Sequence, residues 1–122
     1  MSDRVELSIS TVPDLRGVAS LVLGGVGSRH DLPYERVDDL QIAVLSALEA
    51  VREPAVTLDV EVGDGRMSVY LGPLERKIGA DPALARVLDR LVDEVEDAPR
   101  NGRPWLGLHL ELPVERDQPT AG

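Results

Sequence analysis

The chain has 122 residues, 43% of them hydrophobic and 29% charged, which predicts one soluble globular domain with a single modest core. Its formal net charge of −9 argues against nucleic acid as a partner, because such binding needs Lys and Arg to neutralise phosphates. The absence of cysteine excludes disulfides, thiolate metal sites and cysteine nucleophiles, and the absence of long apolar runs predicts a cytoplasmic protein that does not cross a membrane.

The first half of the chain predicts one strand followed by two helices. The segment RVELSIS alternates apolar and polar residues, as a strand with one buried face does. A first helix is predicted to start near Pro13 and to end at the glycines of LGGVGSRH, which we interpret as a cap. A second helix is predicted to begin near Pro33 and to stop before Pro54. The apolar stripe of this second helix comprises Val37, Leu40, Val44, Ala47, Leu48 and Val51.

The second half predicts a hairpin, a third helix and a last strand. Residues 56–62 and 67–71 alternate on either side of a glycine-containing turn, which is typical of a β-hairpin. Asp81 followed by Pro82 indicates the start of a third helix, whose apolar face continues to Val95. The inward positions of the last strand are predicted to be Leu106, Leu108, Leu110, Leu112 and Val114.

The order of elements, βααββαβ, predicts the fold class. Because every strand is apolar on one face only, we expect an α/β (α+β) two-layer sandwich, with a mixed, mostly antiparallel sheet and helices on one face. Residues 1–115 are predicted to form one domain and 116–122 a polar tail. His30 and His109 lack the spacing of metal ligands and are interpreted as surface residues, and no serine lies in a nucleophile motif. The residues alone therefore predict a fold but no active site and no metal.

The order of several segments resembles that of the anti-sigma-factor serine kinases, which are GHKL-superfamily ATPases with a histidine-kinase-like fold. The matching segments are VELSIS, ERVDDLQIAVLSALEAV, the hairpin, VLDRLVDEVE and WLGLHLEL. The resemblance covers nearly all of residues 4–115. It implies a nucleotide pocket bordered by the second helix, the hairpin and a glycine-rich lid, with ATP and magnesium as the family's cofactors.

The residues that perform the chemistry in that family are replaced in this chain. A gapless match puts the family's activating Glu at Ser46 and its magnesium-binding Asn at Ala50. Tyr70 stands where the family has the Asp that accepts the adenine amino group, and Gly79 is the one glycine of the lid segment. The resemblance thus implies a degenerate nucleotide site, with no catalytic residue and kinase activity absent or very weak. Its positions are Asp39, Ala43, Ser46, Ala50, Tyr70, Gly72 and Gly79.

A regulatory protein that acts by protein–protein binding is the function that this resemblance implies. The implied partners are a sigma factor or an anti-sigma antagonist domain, and homodimers are common in the family. The outer face of the third helix is acidic and is interpreted either as a solvated surface or as one that attracts a basic partner. That face comprises Asp89, Asp93, Glu94 and Glu96.

Two alternatives stay open at this stage. The first is an active ATP-dependent protein serine kinase in which Glu49, Glu53 or Asp39 replaces the missing ligands. The second is a two-layer interaction module unrelated to the family. No cofactor is implied with certainty by the residues themselves.

Overall fold

The computed structural model describes residues 3–12 and 16–112. The described elements follow in the order β1 (Asp3–Ser10), α1 (Gly17–Arg29), α2 (Tyr34–Ala50), β2 (Ala55–Gly63), β3 (Arg66–Gly72), α3 (Pro82–Leu91), β4 (Glu94–Asp97) and β5 (Leu106–Glu111). A single turn of 3-10 helix, Ile78–Ala80, precedes α3. The predicted helix start at Pro13, the inward Val114 and the polar tail lie outside the described residues.

The five described strands form one sheet in the order β1-β2-β3-β5-β4, and every neighbouring pair is antiparallel. Apolar side chains of alternate strand positions pack with the helices into one core. The opposite face of the sheet carries the polar positions of the same strands. The predicted two-layer sandwich is confirmed, and no described strand pair is parallel. In the described part of the chain, no helix has the length and apolarity needed to cross a membrane.

The predicted third helix is too long. Instead of continuing to Val95, α3 ends at Leu91, and Val92 has extended backbone angles of φ −125° and ψ 166°. Residues Glu94–Asp97 form β4, which pairs with β5 at the edge of the sheet, so the order is βααββαββ. Val92 and Val95 fit the spacing of a helix, but an apolar run this short also fits a strand, and pairing with β5 decides between them.

The prediction that the glycines of LGGVGSRH end the first helix is wrong, because Gly24, Gly25 and Gly27 lie inside α1. A Cβ on Gly27 would lie 2.6 Å from Cγ2 of Val37, and one on Gly24 would lie 3.2 Å from Nε2 of Gln41. The same Gln41 nitrogen donates to the carbonyl oxygen of Ser20 at 2.8 Å. Two of the glycines therefore allow α1 to approach α2 closely, which outweighs their poor helix propensity.

Two glycine substitutions in α1 are expected to change stability in opposite directions. Gly25 has nothing within 4 Å of a Cβ position, so Gly25→Ala should raise the free energy of unfolding by about 1 kcal/mol through helix propensity alone. Gly27→Ala gains the same propensity but crowds Val37, and we expect a net loss of about 1 kcal/mol. Urea denaturation followed by circular dichroism measures both, and a stabilising Gly27→Ala would contradict the close packing.

Candidate functional site

The resemblance puts the nucleotide against one face of α2, which we call the small-residue face. This face comprises Asp39, Ala43, Ser46 and Ala50. Ala43 is fully buried in the core, and the other three residues are partly buried. Asp39 lies 3.5 Å from Nη1 of Arg36, whose Nη2 donates to Oδ2 of Asp93 at 2.7 Å. The one carboxylate of the face is therefore already held by a guanidinium.

The segment after β3, which the resemblance aligns with the family's lid, is attached to the C-terminal end of α2. Nη2 of Arg76 donates to the carbonyl oxygen of Ala50 at 3.2 Å. The backbone amide of Glu75 donates to the carboxylate of Glu53 at 2.5 Å. These two contacts hold the segment against the helix end, and they engage Glu53, one of the residues considered as a displaced ligand.

The donor atoms on the small-residue face do not fit a magnesium-bound nucleotide. Magnesium takes oxygen ligands, chiefly carboxylates together with water and phosphate oxygens. Positions 43, 46 and 50 supply a single side-chain oxygen, the hydroxyl of Ser46. Elsewhere in the described part of the chain, no group of three or more His, Asp and Glu side chains is placed to hold a metal ion.

The structure does not bring the remaining nucleotide-site residues to α2. Tyr70 alternates with the fully buried Val69 and Leu71, so its ring lies on the sheet face opposite the helices. Gly72 lies on that same face, where a Cβ would be 2.5 Å from Cδ2 of Trp105. Gly79 lines a separate cavity of about 300 Å³ near the edge of the sheet. The seven positions are thus divided among three places in the fold.

The acidic set assigned to the outer face of the third helix is also divided. Only Asp89 lies on α3, where it is exposed. Asp93 follows the helix and accepts hydrogen bonds from Arg36 and from the backbone amide of Glu111. Glu94 lies on β4 and forms an ion pair with Arg66 at 3.0 Å. The prediction of one acidic helical face is wrong, because the chain leaves the helix at Leu91.

His109, interpreted as a surface residue, is fully buried. Its Nδ1 lies 2.7 Å from Oγ of Ser68 on β3, and its Nε2 lies 2.6 Å from Oε1 of Glu96 on β4. The ring of Tyr70 meets it edge to face at 5.5 Å. Ser68 is 6% exposed in the middle of its strand, so this hydrogen-bonded chain joins three strands and presents no nucleophile.

A buried carboxylate, Asp59, lies on the same face of the sheet, and the sequence pattern did not predict it. Asp59 is 0% exposed, and it accepts hydrogen bonds from Nε and Nη2 of Arg4 at 2.8 and 2.9 Å and from Nη1 of Arg100 at 3.0 Å. The Arg100 guanidinium also lies 4.7 Å from the Tyr70 ring centroid and 4.4 Å from that of Trp105. Burial alone would raise the pKa of Asp59, but the hydrogen bonds from Arg4 and Arg100 hold it below its ordinary value.

The signal for Asp59 was present but incomplete. An Asp in the middle of the apolar strand AVTLDVEV is unusual, and its position on the polar face of that strand allowed a solvated interpretation. Its partners are separated from it by 55 and 41 residues, so no local pattern connects the three.

Solved structures include one of the same architecture. The structure of the RsbU and RsbW domains of Rv1364c from Mycobacterium tuberculosis matches with a TM-score of 0.68 at 13% identity, covering 90% of this chain and 32% of that chain. At this identity the match shows the fold alone. No family model matches the chain.

The sequence relatives are serine-protein kinases named RsbW. The protein from Bacillus subtilis (strain 168) is 30% identical over 77 residues, 63% of this chain and 46% of the relative. That from Bacillus pumilus (strain SAFR-032) is 38% identical over 76 residues, 60% of this chain and 47% of the relative. The chain is a homologue of RsbW serine-protein kinases, and the resemblance predicted from its sequence is confirmed. It matches less than half the length of these relatives.

Proposed function

We propose that this chain is a regulatory protein of the anti-sigma type that acts by binding other proteins and whose nucleotide site is degenerate. The observation that carries the proposal is the similarity to RsbW serine-protein kinases combined with Ser46 and Ala50 at the positions of the general base and the metal ligand. Phosphoryl transfer depends on metal, positioning and charge stabilisation, and the small-residue face supplies little of these. A cytoplasmic location is part of the proposal.

The contacts around α2 support the loss of nucleotide binding. Asp39 and Glu53, two of the three carboxylates that could replace the missing ligands, are engaged by Arg36 and by the backbone amide of Glu75. Glu49, the third, is exposed. Tyr70 lies on the other side of the sheet from α2, so it offers no adenine contact there. These features favour the regulatory function over the active-kinase alternative.

The expected result of a nucleotide titration is no binding. Isothermal titration of the protein with ATP and magnesium should show no saturable heat up to about 1 mM nucleotide. Phosphate transfer to a purified antagonist domain should be at least about a thousandfold slower than with Bacillus subtilis RsbW measured in parallel, because a general base alone contributes about 10²–10⁴-fold. Micromolar nucleotide binding together with phosphate transfer would establish the kinase alternative instead.

The partners in this proposal are a sigma factor or an anti-sigma antagonist domain, and the chain itself is proposed to form a homodimer. Biolayer interferometry against the purified sigma factors and antagonist domains of the same organism tests the first part. We expect at least one of them to bind with a Kd of about 1 µM or tighter. Binding to none of them would contradict the regulatory proposal, whereas sedimentation of the chain alone measures its oligomeric state.

A further inference from the structure

A groove lies where the end of α1 meets the start of α2, far along the helices from the C-terminal end of the small-residue face. It has a volume of about 730 Å³ and is open to solvent on one side. We call it the α1–α2 groove. Its main lining residues are Asp31, Leu32, Tyr34, Glu35, Val37 and Asp38. Gly24 and Gly27 of α1 also line it, and their lack of side chains leaves the space open.

Three carboxylates of the groove have no ion-pair partner among the described residues: Asp31, Glu35 and Asp38. The basic residues nearest to them in sequence are directed to other carboxylates. Arg29 and His30 both contact Asp3, and Arg36 contacts Asp39 and Asp93. The C-terminal end of α1 carries a negative partial charge and the N-terminal end of α2 a positive one, so the two offset each other. The three carboxylates therefore make the groove negatively charged.

The groove also has an apolar and aromatic component. Val37 is buried and Leu32 partly buried, while the ring of Tyr34 is 88% exposed at the first residue of α2. An aromatic ring in this position can pack against an aliphatic side chain or lie under a guanidinium. Carboxylates beside such a surface are complementary to a segment that carries both cationic and apolar side chains.

We propose that the α1–α2 groove binds a basic amphipathic segment of a partner protein, with its Lys or Arg side chains paired to Asp31, Glu35 and Asp38 and its apolar side chains against Tyr34 and Leu32. This assignment rests on the geometry and charge of the groove. It stands whether or not the partner is a sigma factor, and it does not involve the small-residue face of α2.

The test uses a synthetic peptide, acetyl-Leu-Arg-Arg-Leu-Arg-Arg-amide, and the full chain labelled with ¹⁵N. We expect saturable chemical-shift changes that concentrate in residues 24–41, with little change for the acidic analogue in which every Arg is Glu. The triple variant Asp31→Asn, Glu35→Gln and Asp38→Asn should weaken binding about tenfold, and Tyr34→Ala about threefold.

A matched triple variant controls for net charge. Asp64→Asn, Glu75→Gln and Asp89→Asn remove three exposed carboxylates elsewhere, one of them, like Asp31, at positive φ. In this control variant, the affinity for the peptide should fall by less than about twofold. Equal weakening by the two triple variants, shift changes centred outside the groove, or no saturation below about 1 mM peptide would each overturn the proposal. Circular dichroism of each variant confirms that it is folded before the titration.

Discussion

Asp59→Asn is expected to lower the free energy of unfolding by about 3 kcal/mol, because it removes the one fully buried carboxylate that the guanidinium groups of Arg4 and Arg100 share. Asn keeps the volume of the side chain, but its amide group presents a donor to arginines that also donate. At this position the two arginines then find one neutral acceptor, where Asp59 accepted three charge-assisted hydrogen bonds. Urea denaturation at pH 7 measures the loss.

Glu61→Gln is the matched control for this substitution. Glu61 lies two residues along β2, on the same face of the sheet, and its carboxylate is 43% exposed and 3.9 Å from Arg4. Neutralising it should change the free energy of unfolding by less than about 0.5 kcal/mol. If Asp59→Asn were as mild as Glu61→Gln, the buried cluster would not contribute to stability.

The effect of Asp59→Asn should also depend on pH. The pKa of Asp59 in the folded protein lies below the unfolded value of about 3.9, so its contribution is complete above that pH and is lost as pH falls through the folded pKa. The difference in unfolding free energy between wild type and variant should be constant from pH 7 to about 5 and should shrink below about 3.9. A difference that grows in acid would contradict the direction of this pKa shift.

Gly72→Ala is the second substitution with a large expected effect, a loss of about 3 kcal/mol. The new Cβ would lie 2.5, 2.6 and 2.9 Å from three ring atoms of Trp105. The ring has little freedom to move away, because the Arg100 guanidinium lies 4.4 Å from its centroid and is itself bound to Asp59. Because Trp105 is the single tryptophan of the chain, its fluorescence during denaturation reports the change directly.

Removing the obstructing ring should reverse part of this loss. In the double variant Gly72→Ala with Trp105→Leu, we expect the penalty of the alanine to fall below about 1 kcal/mol relative to Trp105→Leu alone, as measured by circular dichroism. Gly17→Ala serves as the control, since nothing lies within 4 Å of its Cβ position. A penalty for Gly72→Ala that is unchanged in the Trp105→Leu background would show that the ring is not its cause.

The two substitutions test one structural unit. The loop between β4 and β5 folds over the polar face of the sheet, and its Arg100 is held by Asp59 of β2 and flanked by Tyr70 and Trp105. Glu96 and Ser68 join the same region through His109. This network fixes the short edge strand β4, which has only four residues to pair with β5. Tyr70, which the resemblance aligned with the family's adenine-binding Asp, is thus part of this polar sheet face.

Local signals in the sequence were sufficient for most of the fold. The alternation of β2 and β3 around a glycine turn, and the prolines that bound α2, are decided by neighbouring residues, and the structure has them where they were predicted. The resemblance to the anti-sigma kinases also came from the order of these elements. The proposed degeneracy at positions 46 and 50 rests on the gapless match to the family and on residue identity alone.

Other features depended on contacts between residues far apart in the chain. The helical period continues past Leu91, yet pairing with β5 converts residues 94–97 into a strand. Glycines that pack inside a helix and glycines that end one have the same local sequence pattern. The contact between Gly27 and Val37, which are on different helices, decides between the two.

The sequence by itself thus determined the two layers and most of the element types, because periodicity and turn residues are local properties. Only the tertiary structure decided that Tyr70 and Gly72 face away from α2, that Asp59 and His109 are buried, and that Asp31, Glu35 and Asp38 line one groove between α1 and α2. Those outcomes follow from side chains that meet across strands and helices, and the energy of such contacts is set by packing and charge pairing that no short segment contains.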